Sequence, residues 1–123
     1  MAFLNDRVFD NGLAVLDTEA NAVYINSQEA TTYAQATSTY ALGNSTSISI
    51  SAPSDRSGGG RKVTLSAVSA GSVTGTGTVT HYALVDTTNN RLLATSTLSS
   101  SQAVTSGNTF SLSSLDIGIP NPA

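Results

Sequence analysis

The sequence contains no cysteine and no tryptophan, and only 11% of its 123 residues are charged. Without cysteine there are no disulfides, thiolate zinc sites or cysteine nucleophiles. Five Lys and Arg residues against eight Asp and Glu residues give a net charge of −3. The basic patch that nucleic-acid binding requires is therefore missing, and we expect no nucleic-acid partner.

Long apolar runs are also missing. No stretch approaches the ~20 apolar residues that would span a bilayer, so we expect no membrane partner. The first residues, MAFLNDRVFDN, carry three charges, at Asp6, Arg7 and Asp10, where a secretory signal has an apolar core of about 7–15 residues. We therefore expect synthesis and folding in a cytoplasm.

Side chains that carry out catalysis are few. His81 is the only histidine and lies within a predicted strand, where a structural or interface role is expected, and no G-x-S-x-G motif marks a nucleophile. Asp17 and Glu19 fall in a predicted turn, but Ca²⁺ takes six or more oxygen ligands. The run GGGRK lacks the phosphate-loop spacing. The sequence therefore predicts no enzyme, no cofactor and no metal site.

Serine and threonine are abundant, numbering 36, and they surround short apolar runs. The clearest pair of runs is Val79–Leu98, which predicts a β-hairpin with a two-residue turn at Asn89-Asn90. This turn would place Val85 opposite Ala94. Because the first run has apolar side chains on both faces, it is predicted to be a central strand.

The remaining elements are predicted from shorter patterns. Residues 13–26 read as a second hairpin around a turn at 17–22, and residues 28–42 show helical spacing with Ser27 as N-cap, although their threonines leave a loop-and-turn arrangement open. Ile48 and Ile50 alternate with serines, which predicts a strand. Ser99–Gln102 is predicted to be a polar link, and Ser113-Ser114 a β-bulge.

Strands at intervals of about 8–12 residues, separated by turn signals, predict an all-β fold. We expect a single antiparallel β-sandwich or jelly-roll-like domain over residues 13–123, with at most one short helix near residues 29–42. Residues 1–12 are expected to form an N-terminal arm or a first strand.

Two segments are the best candidates for protein contacts. The first holds apolar residues that either pack on the core as a strand or dock on a neighbouring subunit: Phe3, Leu4, Val8 and Phe9. The second is the polar glycine-rich loop 54–61, with Asp55, Arg56 and Arg61.

Three stretches, MAFLNDRVFDNGLAVLDTEANAVYI, HYALVD and LLATSTLSSSQAVTSGNTFSLSSLDIGIPNP, resemble small proteins encoded among the structural genes of tailed phages and prophages. The resemblance covers nearly the whole chain. It implies a non-enzymatic virion protein of the capsid decoration or cement type. Its partner would be the major capsid protein, and it would decorate the outer capsid surface as a homo-oligomer, with a trimer favoured.

Two other functions remain open. One is a carbohydrate- or receptor-binding module of a phage fibre, for which Tyr33 and Tyr40 are the candidate sugar-stacking residues. The alternative is a structural role, in which these tyrosines form an amphipathic edge that packs on the core. The other is a structural subunit of the tail or neck.

Overall fold

The computed structural model describes residues 3–4, 14–55 and 61–119. The described strands form two antiparallel sheets. The seven-stranded large sheet has the order β1-β8-β7-β2-β3-β6-β9, and the three-stranded small sheet has the order β10-β5-β4. The strands are β1 (Phe3–Leu4), β2 (Ala22–Asn26), β3 (Ala41–Ser45), β4 (Ser54–Asp55), β5 (Arg61–Leu65), β6 (Val68–Val73), β7 (Gly77–Asp86), β8 (Arg91–Val104), β9 (Thr109–Leu112) and β10 (Leu115–Ile119).

The two sheets enclose one main hydrophobic core. Leu84 and Ile25 of the large sheet and Leu65 of the small sheet are at most 1% exposed and belong to the same buried cluster. Removing such side chains from water is the main favourable term in folding. The predicted all-β class, with antiparallel sheets and only short helices, is confirmed.

β7 is the central strand that the sequence predicts, with β8 on one side and β2 on the other. The predicted turn is wrong. Asp86 faces Arg91 across a four-residue loop, and Leu84 rather than Val85 faces Ala94. The loop is longer because the Asp86 carboxylate accepts hydrogen bonds from the backbone N–H groups of Thr88 and Asn89. Among the described non-glycine residues, only Asn90 has a positive φ, of 55°.

The predicted strand at residues 13–16 is instead part of a short helix, α1 (Ala14–Glu19). Val15 and Leu16 are neighbours in sequence and both are buried, which a strand with one solvated face does not allow. The fold therefore has a second short helical segment besides the one near residues 29–42. Asp17 and Glu19 therefore belong to a helix rather than to a turn, and Glu19 pairs with Arg91 at 3.5 Å.

The segment predicted to be helical between residues 28 and 42 contains a π-helix, Gln35–Thr39. Thr32 Oγ1 accepts from the Gln35 N–H at 3.1 Å, and the Gln35 side chain accepts from the Thr31 N–H at 2.8 Å. This exchange resembles a capping box, and it starts the helical turn at Thr32 rather than at Ser27. The wider π-turn also buries Ala36 and leaves Ala34 exposed, so the predicted apolar stripe is only partly right.

Two further strand predictions need correction. Ile48 and Ile50 do pack against the core, but the only pairing in this stretch is a single bridge from Ile50 to Leu65. Ser113-Ser114 is not a bulge within one strand. It is the point where the chain leaves β9 of the large sheet and enters β10 of the small sheet.

β8 is one strand of 14 residues that includes the predicted polar link Ser99–Gln102. Its pairing with β7 is interrupted, because Thr97 faces His81 whereas Gln102 faces Val79. Residues 98–101 therefore lie opposite Thr80 alone. Such a bulge bends the strand and redirects its side chains.

Candidate functional site

The predicted contact residues fall on both sheets. Phe3 and Leu4 form β1, which pairs with Thr95 and Ala94 of β8 at one end of the large sheet. Asp55 of β4 is the register partner of Arg61 of β5, so both flank a connection within a hairpin of the small sheet. Three further predicted residues lie outside the described part of the chain: Val8, Phe9 and Arg56.

Three tyrosines share the outer face of the large sheet, which we call the tyrosine face: Tyr24, Tyr33 and Tyr40. Each is half-buried and packs against a second buried cluster built from Ala22, Ala30, Ala36, Ala83, Val85 and Leu92. The predicted amphipathic edge is thus present. Tyr24 was not predicted from the sequence. It lies on the same face of β2 as two buried residues, Ala22 and Asn26.

On the tyrosine face, the surroundings of Tyr33 disfavour the ionised form of its hydroxyl. Burial raises the pKa of the Tyr33 hydroxyl, and the nearby Tyr24 and Asp86 side chains raise it further. A phenol in such a setting stays protonated through the physiological range. Its hydroxyl can therefore donate as well as accept a hydrogen bond.

Asp86 lies at the edge of this face and is 2% exposed. Burial by itself would raise the pKa of its carboxyl. The Asn89 side chain at 2.8 Å, the backbone N–H groups of the turn and the Arg91 charge outweigh burial and bring the pKa below its usual value of 3.8. Asp86 is therefore a structural carboxylate that fixes the β7–β8 turn.

The depressed pKa of Asp86 makes the free energy of unfolding depend on pH. Its folded-state pKa is depressed, so its contribution is present above pH 3.8 and is lost as the pH falls through the folded-state pKa. Asp86→Asn keeps one side-chain oxygen that accepts from the backbone N–H groups of the turn. It removes the negative charge and places a side-chain NH2 group against the NH2 group of Asn89. We expect a loss of about 1–3 kcal/mol at neutral pH and a smaller loss at pH 3.

Urea denaturation of the wild type and of Asp86→Asn from pH 3 to pH 7 measures this difference in the free energy of unfolding. Asp116 also has a depressed pKa, through hydrogen bonds from Thr64 and Lys62, and contributes acid sensitivity of the same sign. Because Asp116 is unchanged in the variant, the difference between the two proteins isolates Asp86. A difference in stability that stays constant across this pH range would contradict the assignment.

A second candidate site is a cleft of about 440 Å³ at the open side of the core. It lies between β8, with its bulge, and the β9–β10 crossover. We call it the serine cleft, and its lining residues are Tyr82, Ser96, Thr97, Leu98, Ser100, Gln102, Ser111, Leu112, Ser113, Leu115 and Asp116. β8 and β9 lie near opposite ends of the large sheet, so the sheet curls until these two ends approach each other.

The serine cleft is almost free of charge. Between Arg91 and Asp116 the sequence has no charged residue. Asp116 accepts from the Thr64 hydroxyl at 2.7 Å and pairs with Lys62 at 3.1 Å, so its carboxylate is already engaged. At the floor, burial raises the pKa of Tyr82, while a hydrogen bond with Ser96 acts in the opposite direction.

His81 lies on β7, opposite Asn26 of β2 and Thr97 of β8. The single hydroxyl proton of Thr80 is donated to the Ser27 carbonyl at 2.9 Å, so the 2.7 Å contact with His81 requires Nδ1 to donate to Thr80 Oγ1. In the described ranges, no group of three or more His, Cys, Asp or Glu residues is placed to hold a metal ion. The hydrogen bond between His81 Nδ1 and Thr80 Oγ1 fixes the imidazole ring against β7.

The chain matches no protein-family model, no curated protein and no solved structure. Across residues 3–4, 14–55 and 61–119, no helix has the length and apolar character needed to cross a bilayer.

Proposed function

We propose that this chain is a non-enzymatic structural protein of a phage virion that binds the outer surface of the capsid. Its partner is the major capsid protein, and it assembles as a homo-oligomer, with a trimer around a capsid symmetry axis as the simplest form. The observation that carries the proposal is the resemblance to phage structural proteins. The segments that carry the resemblance include β7, β8, β9 and β10, which contribute to both sheets and to their common core.

The surface chemistry supports this proposal. A shell protein needs a stable domain and weakly charged faces that can lie against neighbours without leaving unpaired buried charges. The chain from residue 92 to residue 115 carries no charge, and three tyrosines lie together on the tyrosine face. Interface cores in general are depleted of charged residues and enriched in tyrosine.

Capsid binding can be measured by co-sedimentation of the purified chain with capsids that lack it, and by cryo-EM of the parent virion. We expect stoichiometric binding and density for this domain on the shell. Replacing both arginines of the 54–61 segment in the double variant Arg56→Ser, Arg61→Ser should weaken binding about tenfold, equivalent to about 1.4 kcal/mol. Each arginine is expected to lie at a polar contact.

The control is the double variant Ser66→Asp, Ser69→Asp, which changes the net charge by the same amount. Both serines are exposed and follow β5 in the sequence. We expect this control to bind nearly as the wild type does. Equal weakening by both variants would assign the effect to net charge rather than to the loop. Virions without density for the chain on the shell would overturn the proposal.

The tyrosine face supports a second candidate, the carbohydrate-binding module of a fibre. Tyr24, Tyr33 and Tyr40 are gathered on one half-buried surface, as aromatic binding sites require. Binding on a glycan array that is lost in Tyr33→Ala or Tyr40→Ala would favour this function over capsid binding. A gene position beside tail rather than capsid genes would favour a tail or neck subunit.

A further inference from the structure

The serine cleft is bounded by two strand edges. Beyond Thr95, the described residues of β8 pair only with β7, and β9 pairs only with β6. Among the described residues, both strands therefore leave backbone N–H and C=O groups unpaired on their other sides, along a cleft that residues of both strands line. Such groups form a template for an added strand.

The lining favours an uncharged occupant. Hydroxyl and amide groups alternate with leucines along both walls: Ser96, Leu98, Ser100 and Gln102 on β8, and Ser111, Leu112, Ser113 and Leu115 on the crossover side. The two charges nearest to the opening, Asp116 and Lys62, neutralise each other. A charged side chain in the cleft would find no counter-ion among these residues.

The lining also favours a peptide over a sugar. An aromatic ring in the cleft could stack on the apolar face of a sugar, but Tyr82 is the only aromatic residue among the described lining residues and is 5% exposed. Backbone groups at strand edges, in contrast, are the recognition elements for an extended chain. The four residues of β9 offer an edge of about 13 Å.

We propose that the serine cleft binds an extended, uncharged segment of a partner polypeptide, which adds as a strand along the edges of β8 and β9. Hydroxyl and aliphatic side chains alternate in that segment, so that one set meets the serines of the walls and the other meets Leu98, Leu112 and Leu115. This inference does not depend on the partner being a capsid protein.

The probes are capped, neutral heptapeptides in which Ser or Thr alternates with Val, Ile or Leu, tested by calorimetry against the full chain. We expect millimolar to micromolar binding, and protection of β8 and β9 amides from hydrogen exchange. The matched probes are the same peptides N-methylated at alternate residues. Loss of backbone donors should weaken binding at least tenfold when the methylated edge faces a strand.

Two neighbouring pairs of serines provide matched variants. Ser100 and Ser113 line the cleft, whereas Ser101 and Ser114 are exposed and do not line it. We expect Ser100→Arg and Ser113→Arg to abolish peptide binding, and Ser101→Arg and Ser114→Arg to preserve it. All four positions are exposed, so these variants should fold.

Three results would overturn the inference. One is the absence of binding by every peptide at millimolar concentration. Another is equal binding by the methylated and unmethylated probes. The third is saturable binding of oligosaccharides by a protein that binds no peptide. If Ser100→Arg removes this binding, the cleft is a sugar site. Co-sedimentation of the Ser100→Arg protein with capsids tests the proposed virion function separately from peptide binding in the cleft.

Discussion

Replacing Leu65 with alanine is expected to lower the free energy of unfolding by about 2–5 kcal/mol. Leu65 is 0% exposed, lies on β5 of the small sheet, and belongs to the cluster that also contains Leu84 of the large sheet. The substitution removes buried methyl groups and leaves a cavity between the two sheets. Urea denaturation should show a lower midpoint with an unchanged slope, because the surface exposed on unfolding is nearly the same.

Leu98→Ala is the matched control. Leu98 is half-buried at the rim of the serine cleft and packs against the same core from its open side. Solvent can fill the space left by its side chain, so we expect a loss of about 1 kcal/mol or less. Equal losses in the two variants would mean that the small sheet does not cover a common core.

Replacing Gly43 with alanine is expected to cost about 1–3 kcal/mol or more. A Cβ at this position on β3 would collide with the carbonyl oxygen of Ser72 and would lie 3.1 Å from the Val73 Cα. Both atoms belong to the backbone of β6, so relief requires β3 and β6 to separate. Thermal and urea denaturation measure the loss.

The control for this prediction is Gly75→Ala, which makes the same chemical change. Its nearest neighbour would be the Leu42 Cδ2 at 3.4 Å, an ordinary van der Waals contact. We expect stability close to that of the wild type, or slightly higher, because alanine restricts the unfolded chain. A Gly43→Ala protein as stable as Gly75→Ala would contradict the close approach of β3 and β6.

The sequence predicts the parts of this fold that local pattern determines. The central position of β7 follows from apolar side chains on both of its faces, and the structure places it between two neighbours. The turn after β7 depends instead on one carboxylate. Propensity favours the asparagine pair, but the hydrogen bonds of Asp86 define a longer loop. Specific side-chain chemistry therefore overrides the more general preference.

α1 shows a different reason for error. The pattern LAVL is compatible with a strand and with a helix, because apolar runs of this length have no distinctive period. The structure buries Val15 and Leu16 together against the core, and only a helical turn places neighbouring side chains on that side. Tertiary packing decides such short segments.

The serine cleft could not be predicted from the sequence by local reasoning. Its walls come from residues 96–102 and 111–116, which meet only because the large sheet curls. The tyrosine face was predicted in part, because Tyr33 and Tyr40 are close in sequence. Tyr24 joins them only through the packing of β2 beneath residues 28–40.

The crossover at Ser113-Ser114 also has a consequence for the order of folding. In the described part of the chain, β5 pairs with β10 over five positions, from Leu65 opposite Leu115 to Arg61 opposite Ile119, and with β4 over two. On the ribosome, β5 emerges about fifty residues before its main partner. The small sheet is therefore the last part of the domain to close, and until then the apolar side of β5 depends on the large sheet alone for cover.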